Sequence, residues 1–113
     1  MAHFLGTTEY MILLAVVRLG EEAYGAAILD ELERAAGRAP SSGSLSTALD
    51  RLEEKGLVTS AYEEGTSDRG GRPRRVMTVT ERGRDEIEAT RMAFQRLRAG
   101  VPDAPGSLRP EEA

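Results

Sequence analysis

Short hydroxyl side chains and one arginine share a face of a predicted helix, where they could bind a nucleic acid. Ser44, Ser46 and Thr47 lie off the helix's apolar stripe, and short hydroxyls can hydrogen-bond phosphate or base edges while the helix backbone approaches closely. Arg51 lies one turn further on and can reach guanine or phosphate. With Ser42 at the helix start, these five residues form the candidate reading face. The alternative is that they are simply solvated.

A second group of cations flanks a glycine turn between two predicted strands. Arginines beside a helix in this position could lie along phosphates or in the minor groove. The alternative is that charge protects the edge of a hairpin from aggregation. The turn leads into a strand, whereas a phosphate-cradling glycine loop must lead into a helix. The candidate arginines are Arg69, Arg72, Arg74 and Arg75.

The sequence contains few residues of the types that catalysis or metal binding needs. His3 is the only histidine and lies in a terminus that is expected to fray. The chain has no Cys, which excludes disulfides and thiolate metal sites. Adjacent carboxylates such as Glu53 and Glu54 point apart on a helix, so they are not paired acids for hydrolysis. We therefore expect no enzyme activity, no metal and no cofactor.

Length and charge are those of a one-domain globular chain. It has 113 residues, 40% of them hydrophobic and 30% charged, and a net charge of −4. That net charge argues against a general polyanion binder, but residues 69–84 contain six Arg and one acidic residue, Glu81. No apolar run approaches the length of a membrane span, and the start lacks the regions of a signal peptide. We expect a cytoplasmic protein without membrane contacts.

Hydrophobic periodicity predicts the elements that position these residues. Helices are predicted over residues 8–19, 24–36 and 42–55. Strands over residues 57–64 and 74–80 enclose the turn, and a last helix follows Thr80, its expected cap, to about residue 99. The predicted fold class is mainly α with a small β-hairpin: a winged helix-turn-helix with a C-terminal dimerisation helix. The expected divisions are a DNA-binding domain (5–80), that helix (81–99) and a disordered tail (100–113).

Two local expectations follow from the same patterns. Thr7 or Thr8 is expected to cap the first helix, and Gly20 to end it. In the second helix, Ile28 and Leu32 are expected to face inward, with the charged residues, including Glu31, mostly outward.

The last predicted helix carries an apolar seam for a partner helix. Ile87, Thr90, Phe94 and Leu97 recur at spacings of three and four, and such a seam predicts a twofold homodimer. The alternative is that the seam packs on its own domain. A small apolar effector is expected between the subunits, and a packed interface without a ligand is the alternative. The residues expected to hold an effector are Met11, Ala15, Met92 and Phe94.

Four segments, in order, resemble the PadR family of bacterial transcriptional regulators. An apolar first helix is followed by a Tyr-Gly pair at Tyr24, and a recognition-helix pattern runs from Gly43 to Leu57. Gly-Gly-Arg-Pro-Arg follows at residues 70–74, and Thr-Glu-Arg-Gly at residues 80–83. The resemblance covers about residues 5–98. Family members often have Tyr and Pro where this chain has Ser46 and Thr47, which predicts a different operator preference.

The resemblance implies a dimeric repressor that binds a palindromic operator in double-stranded DNA. The short region after the last helix resembles compact members, which dimerise through one C-terminal helix. Reasoning from the residues alone reaches a dimeric winged helix that binds DNA. Two alternatives stay open: a winged-helix module that uses its third helix against protein, and a ligand sensor with weak DNA affinity.

Overall fold

Helices and one β-hairpin make up the described part of the chain, residues 5–65 and 70–102 of a computed structural model. The predicted mainly helical fold class is confirmed. No helix among these residues is long and apolar enough to cross a membrane. The elements are α1 (Thr7–Leu19), a 3-10 turn (Gly20–Glu22), α2 (Gly25–Ala36), α3 (Ser42–Glu54), β1 (Val58–Glu63), β2 (Arg74–Val79) and α4 (Glu81–Ala99).

Helix starts follow the predicted capping chemistry in α4 but not in α1. The Thr80 hydroxyl accepts the Gly83 N–H at 3.0 Å and donates to the Gly56 carbonyl at 2.7 Å, as expected of a cap that also ties α4 to the end of α3. The cap expected from Thr7 or Thr8 is wrong. The N-cap position of α1 is Gly6, whose N–H donates to a Glu9 carboxylate oxygen at 3.2 Å.

An aliphatic core joins the three helices of the N-terminal half to the hairpin. The apolar α1 packs against α2, β2 and α4, as its nearly all-round hydrophobic sequence requires. The stripe of α3 faces this core, with Leu45, Leu49 and Leu52 buried. Burial of that stripe fixes which side of α3 is turned outward.

The hairpin has a third backbone neighbour that the sequence analysis missed. β1 and β2 pair antiparallel, from Val58 opposite Val79 to Glu63 opposite Arg74. Tyr24 forms an isolated β-bridge with Val76, next to a hydrogen bond of 2.8 Å from the Met77 N–H to the Ala23 carbonyl. The segment before α2 therefore anchors the base of the hairpin.

One predicted surface residue is buried instead. Glu31 was expected to face outward, but it is only 7% exposed. Its carboxylate accepts hydrogen bonds from Arg18 on α1 and Arg34 on α2, and these bonds, Arg34 first, lower the pKa of Glu31. A buried charge is retained when it is paired in this way.

The first half of α4 packs on its own subunit. Gly83 lies so close to the hairpin that a Cβ there would sit 2.2 Å from the Leu57 carbonyl oxygen. Thr90 is fully buried, and its hydroxyl accepts the Leu5 N–H at 3.1 Å. Ile87 is half-buried against the core. The predicted seam is thus divided, because Thr90 and Ile87 already have contacts within the chain.

Candidate nucleic-acid interface

All five residues of the reading face are exposed on α3. Because Leu45, Leu49 and Leu52 face the core, the opposite side of the helix is left to solvent. The exposed residues are Ser42, Ser44, Ser46, Thr47 and Arg51. The structure therefore brings these predicted residues together on one helix.

The N-terminal half of α3 is small and uncharged. The Ser41 hydroxyl caps the helix by accepting the Ser44 N–H at 3.1 Å, and it donates to the Ser44 hydroxyl at 3.0 Å. The Thr47 hydroxyl donates to the Gly43 carbonyl at 3.1 Å, which leaves its lone pairs to accept a hydrogen bond from outside. Apart from the neighbouring backbone of α3 itself, no atom of the described residues lies within 4 Å of a Cβ built on Gly43. The backbone of this half of the helix can therefore come close to the surface of a binding partner.

Two cationic side chains, Arg51 on α3 and Lys55 directly after it, differ in their contacts with the rest of the chain. Lys55 forms an ion pair of 2.6 Å with Glu9 on α1, and this hydrogen bond is the main reason that the pKa of Glu9 is lowered. The Arg51 side chain is exposed and forms no hydrogen bond or ion pair with any residue in the described ranges, although its charge contributes to lowering the pKa of Glu9. Arg51 is therefore the cation of α3 that can be offered to a phosphate or a base.

The wing, defined here as residues 58–79, holds two of its predicted arginines in internal contacts. Arg74 donates to Glu63 across the hairpin at 2.8 Å and lies 4.1 Å above the centre of the Tyr24 ring. Arg75 donates to Asp50 at 2.9 Å and to Glu53 at 2.6 Å. Each arginine side chain is only 23% exposed. Both were predicted to contact DNA, yet both are already paired with carboxylates.

The other two predicted wing arginines are Arg69 and Arg72, which flank the glycine pair in the sequence. Arg72 is exposed, directly after Gly70 and Gly71, which have positive φ angles of 66° and 77°. Arg69 lies outside the described residues. The tip thus presents Arg72 on a turn whose backbone conformation favours glycine.

Arg75 belongs to a network between α3 and the hairpin that the sequence analysis missed. The Ser60 hydroxyl on β1 donates to the Glu53 carboxylate at 3.0 Å. The hydrogen bond from Arg75 and then that from Ser60 lower the pKa of Glu53. Asp50 and Glu53 are three residues apart on one helix, so they can hold a single guanidinium. That spacing was the available signal in the sequence.

The predicted dimer residues fall into two groups. Ile87 and Thr90 pack within the chain, as described above. Phe94 and Leu97 are 54% and 73% exposed, and Val101 continues the same stripe at 55%. The Phe94 ring contacts the Tyr10 ring of α1, with centroids 6.3 Å apart. The apolar surface that is open to a partner therefore begins near Phe94.

Three of the four predicted effector residues are divided between different depressions of the described structure. Met11 and Ala15 line a small cavity of about 170 Å³ between α1 and α2. Phe94 lines a separate depression of about 610 Å³ at the end of α4. Met92, also on α4, is 42% exposed. Within one chain the four residues thus lie along α1 and α4, and the α1 pair and Phe94 line different depressions.

Comparisons with known proteins agree with this geometry. The sequence matches the Transcriptional regulator PadR-like family over residues 13–89. No curated protein matches the sequence.

Several solved structures are similar. A PadR-like transcription factor from Bacteroides fragilis is 26% identical, with 80% of this chain and 82% of that chain covered and a TM-score of 0.66. A PadR family transcriptional regulator from Eggerthella lenta is 27% identical, with coverage of 80% and 77% and a TM-score of 0.64. One from Clostridium difficile is 25% identical, with coverage of 80% and 92% and a TM-score of 0.61.

Proposed function

The chain belongs to the PadR-like family of transcriptional regulators, and from that premise we propose that it is a homodimeric repressor that binds a palindromic operator. Members of this family are DNA-binding regulators of transcription and not enzymes. The proposed location is the cytoplasm, because a DNA-binding regulator must share a compartment with its DNA.

The observation that carries the proposal is the outward side of α3. Its N-terminal half exposes small hydroxyl residues, and Arg51 follows with a side chain that forms no hydrogen bond or ion pair among the described residues. Such a helix can enter a major groove, because small side chains let its backbone approach and hydroxyls can accept or donate at base edges. We assign base contacts to Ser44, Ser46, Thr47 and Arg51, and we include Ser42, at the start of the helix, in the DNA-binding surface.

The tip of the wing is assigned to the flanking backbone. Arg72 is exposed beside the glycine turn, and Arg69 precedes that turn in the sequence. Arginines at the tip of a hairpin supply affinity through phosphates or the minor groove and add little sequence information.

Dimerisation is assigned to the second half of α4. The stripe of Phe94, Leu97 and Val101 is exposed in the isolated chain and follows the turns that pack on the chain's own core. A twofold pair of such helices would present two copies of α3 to half-sites spaced by one helical turn of DNA. In this proposal residues 5–80 read DNA and residues 81–99 join the subunits. Most of the predicted tail, residues 103–113, lies outside the described residues.

A small apolar effector is a further part of the proposal. Met11 and Phe94 belong to surfaces that a second subunit could bring together, and the adaptable side chain of Met11 suits a variable ligand. A ligand there would act only if it preferred one spacing of the two reading helices.

Selection from a random pool of duplex DNA tests the proposed function. Purified protein should enrich a palindromic sequence, and its affinity should fall steeply with salt as counterions are released. A protein-interaction module would enrich no sequence. A ligand sensor with weak DNA affinity would bind duplexes weakly and without preference.

Variants of the reading face test the assignment within α3. Thr47→Ala or Arg51→Ala should weaken binding to the selected duplex by roughly 1–3 kcal/mol for each lost base contact. Binding to a random duplex should change little. Equal losses on both duplexes would show that α3 is not the reading element.

A further inference from the structure

We propose that Arg75 is a positioning residue that neutralises Asp50 and Glu53 and fixes the wing to α3, instead of contacting DNA itself. This inference rests on the proposed function and assigns to one wing arginine a role within the protein.

Both terminal nitrogens of the Arg75 guanidinium donate hydrogen bonds to carboxylates of α3. One terminal nitrogen donates to Asp50 at 2.9 Å and the other donates to Glu53 at 2.6 Å. Ser60 on β1 donates to the same Glu53 carboxylate. A planar guanidinium that spans two carboxylates is held in orientation as well as in charge. The contact therefore joins both strands of the hairpin to the recognition helix.

The charge of the pair matters because of where Asp50 lies. Asp50 is one helical turn after Thr47, on the exposed side of α3, and its side chain is 61% exposed. A bare carboxylate in that position would repel phosphates, and the C-terminal half of a helix already carries negative potential. Pairing with Arg75 lets two acidic residues remain on a helix that approaches DNA.

Arg74 provides a matched control at the next position. Its side chain is also 23% exposed and also paired, but its partner is Glu63, which lies across the hairpin and not on α3. Successive residues of a strand point to opposite faces, so the neighbouring arginines serve different contacts. Arg74→Ala removes the same charge without uncovering a carboxylate on α3.

Rescue by neutral partners separates positioning from direct DNA contact. Affinities of the wild type, R75A, D50N/E53Q, D50N/E53Q/R75A and R74A are compared on a selected duplex and a random duplex of equal length, and thermal melts verify folding. R75A should lose roughly tenfold in affinity on both duplexes, because two carboxylates become uncompensated. The DNA affinity of R74A should fall by less than about threefold. The DNA affinity of the triple variant should lie within about threefold of the affinity of D50N/E53Q.

Two results would overturn the inference. If the triple variant stays about tenfold weaker than D50N/E53Q, Arg75 contacts DNA directly. If R74A and R75A lose DNA affinity equally, the loss reflects the net charge of the protein and not the pairing of Arg75 with α3. A wild type that selects no duplex would instead reject the proposed function, and with it the role of Arg75 in DNA binding.

An NMR titration of the carboxyl carbons tests the pairing without DNA. The pKa of Glu53 should lie below its ordinary value in the wild type and rise in R75A, because the Arg75 hydrogen bond is the main cause of its lowering. An ordinary pKa for Glu53 in the wild type would show that the contact does not hold, whatever the DNA measurements give.

Discussion

Replacing Gly83 with alanine is expected to destabilise the fold through one steric contact. A Cβ at this position would lie 2.2 Å from the Leu57 carbonyl oxygen and 2.7 Å from a methyl group of Val79, well inside the 3.0 Å below which such contacts are essentially never found. The Leu57 carbonyl cannot retreat freely, because it accepts the Thr80 N–H at 3.0 Å where α4 begins. The added methyl group must therefore push α4 away from the hairpin.

The expected size of the effect follows from overpacking. Forcing a methyl group into a packed contact costs roughly 1–3 kcal/mol, and the severity of this overlap places Gly83→Ala near the upper end. In a domain of this size, 2–3 kcal/mol corresponds to a fall in Tm of roughly 10–20 °C. Thermal melts followed by circular dichroism and urea denaturation measure both quantities.

Gly43→Ala is the matched control for this experiment. Gly43 is also helical, but beyond the backbone of its own helix no described residue lies within 4 Å of a Cβ built there, so alanine is expected to raise stability by roughly 0.5 kcal/mol through helix propensity. The same change should weaken binding to DNA if α3 approaches a backbone at this point. A melting temperature of Gly83→Ala equal to the wild type would refute the close contact between α4 and Leu57.

Two further predictions concern the dimer and acid stability. Phe94→Glu with Leu97→Glu should split the proposed dimer, because like charges would meet at the exposed stripe, whereas Arg96→Glu, which is off the stripe, should not. Sedimentation velocity measures the association state, and an unchanged dimer in the first variant would remove α4 from the proposed interface. The folded pKa of Glu53 lies below the ordinary value of 4.5, so the stability that it contributes is complete above about pH 4.5 and is lost as the pH falls through the folded pKa. Urea midpoints from pH 7 to pH 3 should therefore fall less in Glu53→Gln than in the wild type, and parallel curves would contradict the pairing with Arg75.

Sequence patterns predicted the elements because local spacing determines them. The repeat of Leu45, Leu49 and Leu52 sets both the extent of α3 and its buried side, and Thr80 carries the capping side chain that starts α4. Placement of the reading face on the outward side of α3 follows from the same repeat. These features need no knowledge of distant parts of the chain.

Contacts between distant residues were not predictable in the same way. Glu31 was expected to face solvent, but the approach of α1 brings Arg18 to it. Arg75 and Asp50 are 25 residues apart, and their ion pair depends on how the hairpin folds back on α3. A count of arginines in a segment indicates charge, but it does not show which carboxylates the fold brings to them.

The hydrogen bond between Leu5 and Thr90 has a consequence for the order of folding. It joins residues 85 positions apart, so its formation closes a loop that contains most of the described chain. Closing a loop of that length costs on the order of 4 kcal/mol in chain entropy. Short-range contacts within a helix or between neighbouring helices close much shorter loops, so they form at a lower entropic cost. Docking of α4 should therefore be a late event, and a nascent chain would complete α3 before it acquires the surface that we propose joins two subunits.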